Sequence, residues 1–266
     1  MSELKKRIIF SLIAAPLFLV VMWLGGWYFK GLVVIMSLII QREMMTMLKG
    51  AGYESNTLIT YATGLWILLI FLLPHPLLIV FLLFLYIIST ETLNQRPKHL
   101  ERMTSTLFCG IYAPLALLSL ILLRDLEPGF TGFALSLTLV FIIWGNDTLA
   151  YFGGKRFGKH PLAPDISPGK TREGFLFGFF GGLLGLIAAY VIIPSYPLSF
   201  MTALPMVIIV GFFGPVGDLA ASKIKRSAGM KDSATILPGH GGFFDRLDAL
   251  LLASPAVYIY VSLVLS

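Results

Sequence analysis

The chain has 266 residues, of which 57% are hydrophobic and only 13% are charged. Soluble domains carry about 25% charged residues, so this composition excludes an ordinary soluble protein and indicates an integral membrane protein. The apolar runs are continuous rather than alternating, which is typical of membrane helices and not of a β-barrel. The predicted fold class is therefore an all-α integral membrane protein. A single cysteine, Cys109, excludes an intrachain disulfide.

About nine transmembrane helices are predicted. The first, at residues 8–28, follows the basic residues at positions 5–7 and is too long for the hydrophobic region of a signal peptide, so we interpret it as an uncleaved anchor. The second has a short apolar part, residues 31–40, with an amphipathic continuation to residue 47. The other seven are predicted at residues 58–73, 77–89, 104–123, 131–153, 174–193, 200–221 and 247–265.

These predicted helices divide into two regions. Residues 1–130 hold five spans, whereas residues 131–266 hold four spans and the polar residues expected to form the site. Two polar loops, residues 154–173 and 222–246, connect spans of the second region. The catalytic site is therefore expected in the second region.

The basic residues are distributed unevenly between the two predicted faces of the membrane. With the N-terminus in the cytoplasm, eighteen of the twenty Lys and Arg residues fall in cytoplasmic segments, and only Lys30 and Arg124 fall on the other side. Cytoplasmic loops of membrane proteins carry such an excess of positive charge. We therefore predict that the N-terminus and both polar loops are cytoplasmic, and we interpret the basic charge as a topology signal rather than a sign of nucleic-acid binding.

Carboxylates are concentrated in the second region, since six of the seven Asp residues lie between positions 147 and 248. Asp147 and Asp218 each lie in an apolar span near its predicted cytoplasmic end, where an ionisable group is costly and points to function. A partly hydrated position at the membrane interface is the alternative. Asp245 and Asp248 are three residues apart and share a helical face, where helix capping is the alternative. Oxygen ligands of this kind suit Mg²⁺.

Basic and glycine residues accompany these carboxylates. The segment Pro238-Gly-His240-Gly241-Gly242 is a predicted turn that can bring backbone N–H groups close to phosphate. His240 is expected either to contact phosphate or to hold the turn. The basic residues suit phosphate groups, although topology and anionic lipid headgroups also explain basic loops beside a membrane.

Glycines in the seventh predicted span, at positions 178, 181, 182 and 185, form two overlapping Gly-x-x-x-Gly patterns. Such patterns favour close approach of two helices. We expect the contact within the monomer rather than at a dimer interface, and a homodimer is the alternative.

Residues 222–248 resemble the signature of the phosphatidate cytidylyltransferases, also called CDP-diacylglycerol synthases. The pattern is Ser222-x-x-Lys225-Arg226-x₄-Lys231-Asp232-x₅-Pro238-x-His240-Gly241-Gly242-x-x-Asp245-Arg246-x-Asp248. A second similar region holds Asp147, Tyr151 and Ser167-Pro168-x-Lys170-Thr171-x-Glu173-Gly174. The resemblance covers about residues 144–249, and the earlier part of the chain agrees only in hydropathy.

The resemblance implies transfer of CMP from CTP to phosphatidate, giving CDP-diacylglycerol and pyrophosphate in phospholipid biosynthesis. It implies Mg²⁺, with a second cation left open, and a multi-pass protein of the bacterial inner membrane with a cytoplasmic active site. The expected partners are CTP, phosphatidate and membrane lipids.

On this basis the candidate residues are expected to fill three roles, and three of the aspartates fill two of them. The expected metal ligands are Asp147, Asp218, Asp245 and Asp248. The expected catalytic residues are Asp218, Asp245, Asp248, Lys170, Lys225 and Arg226. The expected substrate-binding residues are Ser167, Thr171, Ser222, Lys223, Lys231, His240, Gly241 and Gly242. Lys155 lies in a less motif-like part of its loop and is expected to contribute little.

Two other classes of protein would use similar residues. A CTP-dependent polyprenol or lipid kinase would also bind a nucleotide and a lipid. An anion transporter would also place carboxylates in the membrane, but transporters usually show repeated halves, whereas the polar residues here lie in one half. The kinase and the transporter remain the alternatives.

Overall fold

The computed structural model of the protein describes residues 3–72, 76–93, 98–127, 129–236 and 241–266. The described elements are α1 (Glu3–Leu24), α2 (Gly26–Gly50), α3 (Thr57–Leu68), a 3₁₀ turn (Ile70–Leu72), α4 (Pro76–Leu93), α5 (His99–Asp125), α6 (Phe130–Phe157), β1 (Pro161–Ala163), β2 (Ser167–Thr171), α7 (Arg172–Ile192), α8 (Phe200–Ser227) and α9 (Phe243–Leu265). Each predicted span overlaps a helix, and most helices continue beyond the apolar segment that predicted them. Two predicted ends were wrong: α1 ends at Leu24 rather than at residue 28, and α3 ends at Leu68, before a 3₁₀ turn.

Six helices of the described chain, α2 and α5 to α9, are long and apolar enough to cross a membrane. Two shorter apolar helical stretches, Phe10–Leu24 and Thr57–Leu68, lie in α1 and α3. Large apolar side chains point outwards, for example Val191, which is 80% exposed. The protein is therefore a helical, multi-pass membrane protein, whereas the count of nine spans and the orientation stay predictions.

The predicted boundaries of the loop at residues 222–246 were wrong at both ends. Helix α8 continues to Ser227, so Ser222, Lys223, Lys225 and Arg226 lie in its last turns, and α9 already begins at Phe243. Hydropathy marks where the apolar segment ends, not where the helix ends. Basic residues in a last helical turn interact favourably with the negative end of the helix dipole, which is consistent with a helix that continues out of the membrane.

The loop predicted at residues 154–173 is partly ordered by a short β-hairpin, which the all-α prediction did not include. Strands β1 and β2 are antiparallel, with Pro161 opposite Thr171 and Ala163 opposite Ser167. The Thr171 hydroxyl then caps α7 by accepting a hydrogen bond from the N–H of Gly174 at 3.1 Å. The hairpin therefore delivers β2 directly into the start of α7.

Helices α6 and α7 pack backbone against backbone, which confirms the predicted close approach within the monomer. A Cβ added to Gly181 would collide with the carbonyl group of Gly145, and one added to Gly185 would collide with that of Phe141. Only glycine fits at such a contact. This contact, which we call the seam between α6 and α7, fixes the position of α6 relative to the hairpin and α7.

The two sequence regions share one buried core, because α5 packs against α9. A polar contact lies within this apolar interface. The hydroxyl of Ser254 on α9 donates to the carbonyl oxygen of Ala116 at 3.1 Å and lies 3.0 Å from the hydroxyl of Ser119. Helix α9, which carries two of the predicted site residues, is therefore held by the N-terminal half.

Candidate active site

A cavity of about 640 Å³ is lined by α6, the hairpin and helices α7, α8 and α9. Charged side chains dominate its described lining. The carboxylates are Asp147, Asp218, Asp232, Asp245 and Asp248, and the cations are Lys155, Lys170, Lys225 and Arg246. Helices α6, α8 and α9, strand β2 and the segment between α8 and α9 thus direct acidic and basic groups to one place.

Lys170 and Asp218 form an ion pair across the cavity. The hairpin carries Lys170 and helix α8 carries Asp218, and the ammonium nitrogen lies 2.5 Å from the carboxylate oxygen Oδ2. The hydroxyl of Ser222, one turn along α8, lies 3.4 Å from Oδ1 of the same carboxylate. Because both charged side chains are partly exposed, the pair remains accessible from the cavity.

Lys225 and Asp245 form a second ion pair, which is more deeply buried. The Nζ atom of Lys225 lies 2.5 Å from Oδ1 of Asp245, and the side chains are 11% and 5% exposed. The other oxygen, Oδ2, accepts hydrogen bonds from the backbone N–H groups of Ser233 (2.8 Å) and Gly242 (3.0 Å). Both oxygens of Asp245 are therefore already engaged by protein groups.

Asp147 and Asp248 complete the group of carboxylates with Asp218. The three lie within electrostatic reach of one another. Within the part of the chain that the structure describes, neither Asp147 nor Asp248 forms an ion pair shorter than 4 Å. Oδ1 of Asp248 accepts a hydrogen bond from the N–H of Ala249 at 2.8 Å. These two carboxylates consequently keep free oxygen lone pairs in the cavity.

A preformed metal cage is not seen among the described residues, since no three His, Cys, Asp or Glu side chains there are arranged to hold one ion. Mg²⁺ does not need such a cage, because it typically takes one or two carboxylates and completes its coordination with water and substrate phosphates. Asp147 and Asp248 fit that requirement as they stand, and Asp218 fits it once Lys170 turns from its carboxylate to a phosphate group. Asp245 does not, because Lys225 and two backbone N–H groups occupy its oxygens.

Only some of the other predicted site residues line the cavity. Thr171 lines the cavity, and Gly241 has a φ of 80°, a conformation that favours glycine. Ser167, Lys223 and Arg226 are not among the residues that line the cavity. Lys231 lines a neighbouring open pocket with Arg42. His240 lies outside the described residues.

The structure adds residues that the sequence reasoning missed. Lys155, expected to contribute little, lines the cavity and lies 5.9 Å from the ring centroid of Tyr151. Arg246 also lines the cavity, although it was interpreted only as part of the signature. The spacing of Lys155 and Tyr151, four residues apart on α6, is the signal that could have placed both on one helical face.

Comparison with known proteins identifies the family of the chain. The sequence model of the cytidylyltransferase family matches residues 5–264. The chain belongs to the cytidylyltransferase family. This membership covers the N-terminal helices as well as the signature, so it extends the resemblance that the sequence motifs carried.

Two relatives align along nearly the whole chain, and a third aligns with less than half of it. A phosphatidate cytidylyltransferase of Bacillus subtilis (strain 168) is 31% identical over 278 residues, covering 99% of each protein. One from Synechocystis is 31% identical over 287 residues, covering 98% of this chain and 97% of the relative. One from Staphylococcus aureus (strain COL) is 43% identical over 118 residues, covering 44% of this chain and 45% of the relative.

Proposed function

We propose that the protein is a phosphatidate cytidylyltransferase, which transfers CMP from CTP to phosphatidate and releases pyrophosphate. The observation that carries this proposal is the cavity between α6 and α9, in which cationic side chains and unengaged carboxylates face one space. The full-length similarity to proteins named for this activity supports it.

The reaction requires no nucleophilic side chain. An oxygen of the phosphatidate phosphate attacks the α-phosphorus of CTP and forms the new P–O bond. The bond from the α-phosphorus to the bridging oxygen breaks, and pyrophosphate leaves with its electron pair. The protein has to align two anions and stabilise the charge that develops on the leaving group, which is the usual task in phosphoryl chemistry.

Lys170 and Arg246 are the cations best placed to contact phosphate groups. Lys170 is held against Asp218 at 2.5 Å, and its flexible side chain can turn from the carboxylate to a phosphate oxygen. Arg246 lines the same cavity and offers a planar, bidentate donor group. Lys225 is paired with Asp245 and its side chain is only 11% exposed, so we assign it to organising the site.

The balance of charge in the cavity supports a divalent cation. Its described lining has five carboxylates against four cationic side chains, so a nucleoside triphosphate would enter a site without excess positive charge. We propose that Asp218 and Asp248 would hold Mg²⁺, with Asp147 as a further ligand or hydrogen-bonding neighbour. When bound, this ion would neutralise phosphate charge and polarise the P–O bonds.

This proposal revises the role predicted for Asp245. Its carboxylate pairs with Lys225 and accepts the N–H groups of Ser233 and Gly242, so we assign it to organising the turn before α9. We further propose that the cavity faces the cytoplasm of a bacterial inner membrane, on the basis of the charge distribution.

The proposed function is tested by following two labels from CTP. Purified protein in detergent micelles is supplied with phosphatidate and with CTP labelled at either the α- or the γ-phosphate. We expect the α-label in the lipid fraction, the γ-label in released pyrophosphate, and loss of both on addition of EDTA with recovery on excess Mg²⁺. Transfer of the γ-label to lipid would establish a kinase instead, and transfer of neither label would favour the anion transporter.

A further inference from the structure

One buried carboxylate of the N-terminal half lies against the signature segment. Glu43 is on α2, is 2% exposed, and is separated from the start of α9 by 200 residues of sequence. A carboxylate is rarely so completely buried unless it is paired or hydrogen-bonded. Its partners therefore indicate what it does.

Glu43 caps the first turn of α9 from a different helix. Its Oε1 accepts a hydrogen bond from the N–H of Phe243 at 2.9 Å, and its Oε2 accepts one from the N–H of Phe244 at 2.8 Å. The first N–H groups of a helix have no partner within the helix. A negative charge at this end also complements the helix dipole. Glu43 therefore fixes the point at which α9 begins.

A serine connects Glu43 to the ion pair at the cavity. The hydroxyl of Ser233 lies 2.8 Å from Oε2 of Glu43 and 3.0 Å from Oδ2 of Asp245. Ser233 is buried, and its backbone N–H also donates to Asp245. A chain of contacts thus runs from Glu43 through Ser233 and Asp245 to Lys225.

The same contacts explain why glycine occupies position 242. A Cβ there would collide with the Ser233 hydroxyl and the Glu43 carboxylate. The predicted role of this glycine was to let backbone approach phosphate. The structure instead requires glycine here because Glu43 and Ser233 fill the space that a side chain would need.

We propose that Glu43 is a positioning residue for the reaction, which sets the start of α9 and thereby places Asp248 and Arg246 in the cavity. This inference depends on the proposed function. Glu43 itself is not among the residues that line the cavity, so it acts through α9 and the Ser233–Asp245 contact and does not touch substrate. The N-terminal half therefore contributes to the chemistry as well as to membrane insertion.

The test compares Glu43→Gln with a matched change in the same part of the chain. Glutamine keeps the size of the side chain, but its NH₂ group would face one of the two N–H donors of α9, so one contact becomes repulsive. Glu54→Gln is the control, because Glu54 is exposed just after α2. Partners that orient metal ligands typically change activity or metal affinity by about 10- to 100-fold, and we expect a loss of kcat in that range for Glu43→Gln and none for Glu54→Gln.

Two further measurements distinguish positioning from a purely structural role. Mn²⁺ binding to the purified protein, followed by electron paramagnetic resonance, should weaken by about 10-fold or more in Glu43→Gln. Glu43→Asp keeps both acceptor oxygens and should recover part of the loss. Ser233→Ala removes only the bridging hydroxyl, so it should fold normally and show a smaller loss of kcat, which keeps the test informative if Glu43→Gln does not fold.

The outcomes separate this inference from the proposed function. If the wild type and Glu54→Gln transfer CMP while folded Glu43→Gln keeps the wild-type kcat and Mn²⁺ affinity and only unfolds at a lower temperature, the positioning role is overturned and the proposed function stands. Wild-type kcat in Ser233→Ala would overturn the route through Asp245. Failure of the wild type to transfer CMP would overturn the proposed function itself.

Discussion

Two aspartates three residues apart on α9 have different environments and, we argue, different roles. Asp245 is enclosed by Lys225 and by backbone N–H groups, and its side chain is 5% exposed. Asp248 faces the cavity within electrostatic reach of Asp218 and Asp147. The first carboxylate therefore stabilises the turn before α9, whereas the second repels its neighbours unless a cation is present.

Asp248→Asn and Asp245→Asn should consequently separate activity from stability. Asp248→Asn should lower CMP transfer by roughly 10²-fold or more, the effect of removing one electrostatic stabiliser, and leave the unfolding temperature unchanged or higher because repulsion is relieved. Asp245→Asn leaves Lys225 buried without its partner, so it should lower the free energy of unfolding by about 3 kcal/mol or more. Thermal unfolding in detergent and the CMP-transfer assay measure the two effects.

One result for each variant would contradict these assignments. If Asp248→Asn keeps near wild-type turnover at saturating Mg²⁺, the assignment of Asp248 to the metal is wrong. If Asp245→Asn is as stable as the wild type but inactive, Asp245 contacts the metal or the substrate, as the sequence alone predicted.

At the scale of elements, the contact between α6 and α7 sets the relative positions of the residues that line the cavity. Asp147 and Tyr151 line the cavity from α6, while Lys170 and Thr171 precede α7. The two helices approach until their backbones touch, so any added side chain at the seam must push them apart. The positions of the site residues on these elements therefore depend on glycine at the contact.

Gly181→Ala should separate these helices. Its Cβ would overlap the carbonyl group of Gly145, and such overpacking typically destabilises by about 1–3 kcal/mol. Gly31→Ala is the control, because a Cβ there would meet no described atom within 4 Å, and alanine favours a helix more than glycine by roughly 1 kcal/mol. Thermal unfolding should therefore shift down for the first variant and not for the second. Equal stability of both variants would contradict the close packing.

For the whole molecule, the two cations that break the predicted charge asymmetry have structural roles. Lys30 pairs with Asp125 at 2.8 Å. The Arg124 guanidinium donates to the carbonyl oxygens of Met22 (2.8 Å) and Trp23 (3.1 Å) at the end of α1. Both cations hold the ends of helices together, so their predicted position opposite the other basic residues has a reason unrelated to topology.

Labelling on either side of α7 tests the predicted orientation. In a Cys109→Ser background, single cysteines replace Gly169 or Ser195, which are exposed at opposite ends of α7. A membrane-impermeant maleimide should label position 195 in intact cells and position 169 only in inside-out vesicles, because basic loops are retained in the cytoplasm. Labelling of position 169 in intact cells would invert the model of the topology.

The sequence alone determined the class of protein, the positions of the helices and the family. These follow from local properties, since apolar length reports a membrane helix and the spacing of Asp245, Arg246 and Asp248 is part of a contiguous signature. It could not determine where α8 ends, because hydropathy reports the membrane and not the helix. It also could not separate Asp245 from Asp248, because an identical residue type at helical spacing carries no information about its partners.

Only the tertiary structure decided which charged groups share the cavity. Lys170 meets Asp218 across the site, and Lys155 points into the same cavity despite its weak motif. Glu43 shows this most clearly, because its partners on α9 lie 200 residues away and nothing near it in the sequence marks it as special. Long-range contacts of this kind arise from helix packing, in which the buried N–H groups of one helix must find acceptors on another.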